Sequence, residues 1–126
     1  MGIDVERRFP WKTSFARRVC HPLELERLLE LEEAERSLWL NRIWSRKESY
    51  LKYLGIGIRR DLRTFRVWDG KLGEAGEQTA AGTMAPDGVI CHFSELQTAS
   101  WTLTAWGQEP ITGPLSVLPG GGTGWE

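Results

Sequence analysis

The sequence predicts an α+β fold: one long or kinked N-terminal helix packed on a small antiparallel β-sheet, with extended N- and C-terminal arms. Three observations carry this. Leucines and aromatic residues recur at helical spacing from Pro22 to Leu54, with Gly55 as a natural stop. The stretches Val89 to Phe93 and Thr98 to Trp106 have the β-branched and aromatic content of strands. Glycine- and proline-bearing turn signals separate them. The 126 residues, 40% hydrophobic and 26% charged, suit one folded domain spanning 1–126.

Residues 1–21 read as an irregular arm punctuated by Phe9-Pro10-Trp11. Pro22 then suits the first position of a helix, and Glu24 and Glu26 put negative charge in its first turn. Leu25, Leu28, Leu29, Trp39, Leu40, Ile43, Tyr50, Leu51 and Leu54 fall on one broad face. The stripe changes sides around residues 31–38, where Glu32 and Arg36 are spaced as a salt bridge would be. The region 22–54 is therefore read as two helices parting near Ser37, or as one kinked helix.

From residue 55 to 118 the chain reads as mainly β. Residues 55–61 fit a helix or a strand; a strand is expected over 63–68, followed by a hairpin turn at Asp69-Gly70. Residues 73–88 read as a mobile loop that closes on Pro86-Asp87-Gly88. Strands follow at 89–93 and 98–106, and a further one is expected at 115–118, before the glycine-rich tail 119–126. Within 98–106, Trp101 and Trp106 must lie on opposite faces.

All cysteines and histidines sit in two dipeptides, Cys20-His21 and Cys91-His92. Adjacent side chains of a strand point to opposite faces, so Cys91 and His92 are poorly placed to share one ion. No metal site and no cofactor is expected, and the cysteines read as small buried residues of a reducing compartment. No apolar run approaches the roughly 18 residues of a membrane span, which points to a cytoplasmic protein with no membrane partner.

The net charge of −1 conceals an asymmetry. Every lysine and arginine lies between Arg7 and Lys71, and residues 72–126 carry only acidic charge. Either the two parts neutralise each other across one fold, or a basic face is left to meet a partner. Arg42, Arg46, Arg59, Arg60, Arg63 and Arg66, interleaved with aromatics, are the candidate contacts to a protein partner or a nucleic acid. Trp11, Trp106 and Trp125 are candidate interface anchors in a chain with seven tryptophans. No serine has a nucleophile-elbow setting and Glu32-Glu33 reads as solvated, so no catalytic residue is singled out. The expectation is a non-enzymatic assembly or adaptor subunit of a larger particle, such as a virion connector. It would be oligomeric and work through other protein subunits. The alternative is a small nucleic-acid-binding regulator using residues 42–71; a metalloenzyme would require bound metal at the Cys/His pairs.

Overall fold

The computed structural model describes residues 1–56, 60–72 and 79–110. Their order is β1 (Gly2–Arg7), α1 (Thr13–Val19), α2 (Pro22–Leu29), α3 (Glu33–Leu54), a 3-10 turn (Leu62–Thr64), β2 (Thr79–Met84), β3 (Cys91–Gln97) and β4 (Trp101–Gly107). The strands form one antiparallel sheet in the order β1-β4-β3-β2, with α3 packed against it. The α+β expectation holds, including the long helix on the sheet.

The details differ in instructive ways. The expected arm contains a strand and a short helix, because Ile3 and Val5 alternate with residues that face α3. The helical region does break, at residues 30–32 rather than near Ser37. There Arg36 donates to the carbonyls of Leu31 and Leu29 at 2.7 and 2.9 Å, tying α3 to the end of α2 in place of the expected Glu32 pair. His21 and Glu24 form a capping box around Pro22 at the start of α2. Gly55 closes α3 in the left-handed conformation at φ 75°.

The strand expected at 63–68 is a 3-10 turn followed by extended backbone, and Asp69-Gly70 joins no hairpin. Its aromatic and β-branched residues are there for burial: Phe65, Val67 and Trp68 all belong to the core. Residues 79–84 of the expected loop form β2, and Pro86-Asp87-Gly88 lies in the connection to β3. The expected strand at 115–118, the tail 119–126 and residues 57–59 and 73–78 lie outside the described residues.

α3 explains why no single apolar face emerges from its sequence. One flank meets the sheet, where Ser45 bonds Thr104 at 2.9 Å and the Trp106 indole donates to the Arg46 carbonyl. Its opposite flank meets α1, α2 and the 3-10 turn. There Lys47 is fully buried, donating to the carbonyls of Val19, Leu62 and Phe65 at 2.8, 2.6 and 2.9 Å and pairing with Glu24 at 2.7 Å. A helix covered on both flanks needs interior residues all round it. Here several of those are charged, and Arg46 and Lys47 are met by carboxylates from elsewhere in the chain.

Glu95 is the sheet's counterpart. Its carboxylate is buried between Arg42 at 2.6 Å and Arg46 at 2.8 Å, and Arg46 also lies over the Phe93 ring. Burial alone would raise the Glu95 pKa, but the charges and hydrogen bonds of the two arginines outweigh it and hold the group below the ordinary range. A depressed folded pKa means stability that is present above the unfolded value of about 4.3 and is lost as pH falls through the lower folded value. Glu95→Gln is therefore expected to cost about 2 kcal/mol at neutral pH. It should also flatten the loss of stability below about pH 4, read from urea midpoints at several pH values.

Candidate functional site

β1 lies on α3 through Gly2, whose missing side chain lets the strand approach the backbone of Ser49 and Tyr53. Alternation along the strand then turns Asp4 and Glu6 toward the same helix. Asp4 accepts from Lys52 Nζ at 2.8 Å, and Glu48, one helical turn before Lys52, sits alongside. Four ionisable groups from two distant segments thus meet along the β1–α3 seam.

Their electrostatics are unbalanced. Burial pushes the Glu6 carboxyl up to about 7, helped by the neighbouring Asp4 carboxylate and by the charge of Glu48, with Trp44 opposing. Glu48 is also raised, by burial first and then by the Asp4 charge, with Lys52 opposing. Three carboxyl groups share one ammonium. Asp4 Oδ2 and Glu48 Oε1 are buried with no hydrogen-bond partner. In a folded protein such oxygens are normally satisfied, and leaving them bare costs about 1–3 kcal/mol each, more when charged.

This is the donor set of a hard divalent cation. Magnesium takes carboxylate oxygens from one or two residues and fills its remaining positions with water and substrate phosphates. Among the described residues no three such side chains already converge as a finished coordination shell. The fit rests instead on the orphaned Asp4 and Glu48 oxygens and on the uncompensated charge. Lys52, 53% exposed at its side chain beside them, is placed to meet an anionic group approaching from solvent.

The residues singled out from the sequence lie elsewhere. Arg42 and Arg46 are committed to Glu95, Arg60 makes a two-pronged pair with Asp87, and Arg63 pairs with Asp61. Arg66 lines a cavity of about 340 Å³ with His21, Phe65, Asp69 and Met84. Arg59 and Trp125 lie outside the described residues. Trp106 is fully buried in the core and Trp11 is half-buried, donating to Thr13. The arginine stripe is thus not one surface: Glu95 and Asp87 come from the acidic second part of the chain and neutralise the first.

Both cysteines are free and buried, His21 caps α2, and His92 bonds Thr83. The sequence alone does not single out Asp4, Glu6 and Glu48 as a set, because residues 1–21 read as an arm. The available signal was the alternation in Gly2-Ile3-Asp4-Val5-Glu6, with its acidic residues all on one side, together with the i, i+4 pair Glu48 and Lys52.

The sequence matches the 4'-phosphopantetheinyl transferase superfamily over residues 1–109. It is 33% identical over 67 residues to the 4'-phosphopantetheinyl transferase Sfp of Bacillus subtilis (strain 168), an alignment covering 53% of this chain and 30% of that protein. The chain thus spans about a third of the length of the curated relative it matches. No solved structure matches it. The family match overturns the expectation of a non-enzymatic assembly subunit, and with it the nucleic-acid-binding alternative. Among the described residues, part of the charge asymmetry behind those readings is met by internal ion pairs, and Trp39, Trp68 and Trp106 are packed in the core. With the carboxylate seam of β1 and α3 inside the matched span, the chain belongs to the 4'-phosphopantetheinyl transferase superfamily.

Proposed function

We propose that the β1–α3 seam is the phosphate-handling part of a transferase site that moves phosphopantetheine onto a carrier protein. The observation that carries this is the pair of orphaned oxygens, Asp4 Oδ2 and Glu48 Oε1, beside the Lys52 ammonium. Transfer of a phosphate-bearing arm to a hydroxyl forms one P–O bond and breaks another. The broken bond is that of a phosphoanhydride donor, and the hydroxyl proton is released. Negative charge on the phosphate oxygens is what the site must tolerate.

Asp4, Glu6 and Glu48 would hold a divalent cation, which when bound neutralises phosphate charge and polarises the reacting phosphorus. Asp4 and Glu48 supply the free oxygens. Lys52 keeps Asp4 oriented and offers its remaining protons to the phosphate. The protein partner expected from the sequence is kept in this reading as a substrate, the carrier protein, in place of a structural subunit. With both cysteines free and no helix among the described residues long and apolar enough to cross a membrane, the reading places the reaction in the cytoplasm.

Glu48→Gln tests it. Transfer to a carrier protein is expected to fall about 10²–10³-fold. Affinity for Mg²⁺ or Mn²⁺, measured by titration calorimetry, should fall at least about tenfold. Unfolding stability without divalent ions should not fall, because a crowding carboxylate has been removed. Full transfer activity in this variant would overturn the assignment.

A further inference from the structure

The third of the buried oxygens left without a partner on this side of the sheet belongs to Thr102. In the β1–β4 register Thr102 lies directly opposite Glu6, as Thr104 lies opposite Asp4. Thr104 and Trp106 both reach α3, so alternation puts the Thr102 side chain on the helix side with them. Directly opposed residues hold their Cβ atoms about 4.5–5.5 Å apart, so a change of side-chain rotamer brings the Thr102 hydroxyl to the Glu6 carboxylate.

The two threonines differ in what they have found. Thr104 bonds Ser45 at 2.9 Å and Glu95 at 3.3 Å, so its hydroxyl is used by the fold. Thr102 is fully buried and its hydroxyl is used by nothing. Valine has nearly the same shape, suits a strand as well and would carry no such cost, so folding alone gives no reason for a hydroxyl here. Its neighbour across the ladder does. Carboxylates that bind a cation through one lone pair need donors on the others to fix their direction, and Thr102 is the residue that faces Glu6 across the ladder.

We propose that Thr102 is a positioning residue of the carboxylate site, its hydroxyl donating to Glu6 so that the carboxylate faces the bound cation. The inference rests on the cation reading of the seam given above. It adds a residue from β4 to a site otherwise built from β1 and α3.

The test compares the wild type with Thr102→Val, Thr102→Ser and Glu48→Gln, reading Mn²⁺ affinity by electron paramagnetic resonance and the thermal midpoint without divalent ions. Thr102→Val is expected to weaken Mn²⁺ binding about 10–100-fold. Its thermal midpoint should stay level or rise, and Thr102→Ser should restore the affinity. Unchanged Mn²⁺ affinity in Thr102→Val overturns the proposal, as does an affinity loss accompanied by a matching drop in thermal midpoint, which marks a structural hydroxyl. If the wild type binds no Mn²⁺, or Glu48→Gln binds it as the wild type does, the cation reading itself fails, and this proposal with it.

Discussion

Lys47→Met is expected to lower the unfolding free energy by about 3–5 kcal/mol, read from the urea midpoint at neutral pH. The side chain is 0% exposed and its ammonium serves three backbone carbonyls and a carboxylate. Burial pulls its pKa down and the Glu24 charge holds part of that back. Methionine fills the volume but leaves the carbonyls of Val19, Leu62 and Phe65 bare. It also strands Glu24, itself 1% exposed, which accepts from the His21 and Val67 amides. Most of the loss comes from that uncompensated carboxylate rather than from the pair's own attraction. The double variant Lys47→Met/Glu24→Gln should therefore be more stable than the single one. A double-mutant cycle with no coupling between the two positions would refute this account.

Gly2→Ala is the second large effect, and it falls on activity. A methyl group at Gly2 would overlap the Ser49 carbonyl oxygen and the Tyr53 backbone nitrogen, and neither atom belongs to a side chain that can swing away. Overpacking of this kind costs about 1–3 kcal/mol when the backbone must shift. Among the described residues β1 is an edge strand paired with β4 alone, so the strand is the part that yields. Asp4 and Glu6, the carboxylates of the proposed site, move with it, and displacement of catalytic groups by about 1 Å can cost about 10²-fold in rate. The expected result is a transfer rate at least about a hundredfold down. Hydrogen exchange should speed up at residues 2–7 while β3 and α3 stay protected. Wild-type activity in this variant would show that the close approach is not needed.

The parts of the fold legible in the sequence were those governed by local chemistry. Pro22 and Gly55 bracket the helical region because one suits a helix start and the other tolerates the left-handed closing residue. Trp101 and Trp106 separate onto two faces because a strand alternates. What stayed hidden was set by distant partners. Arg46 reads as a contact to a partner, yet Arg46, Lys47 and Glu48 are all buried, since Glu95, Glu24 and the β1 strand come to them from elsewhere in the chain. The site was obscured for the same reason: Gly2 to Glu6 is too short and too polar to announce a strand, and its acidic face makes sense only against α3.

The pairing of β1 with β4 joins residues about a hundred positions apart, Gly2 opposite Trp106. Contacts of such separation are slow to form, because a long loop must close before any contact rewards it. The helices and the β3–β4 hairpin can form from nearby residues, whereas Asp4 and Glu6 reach Glu48 only when the first strand docks. The carboxylate seam thus depends on this long-range pairing, and a chain that has not completed its sheet has no assembled seam.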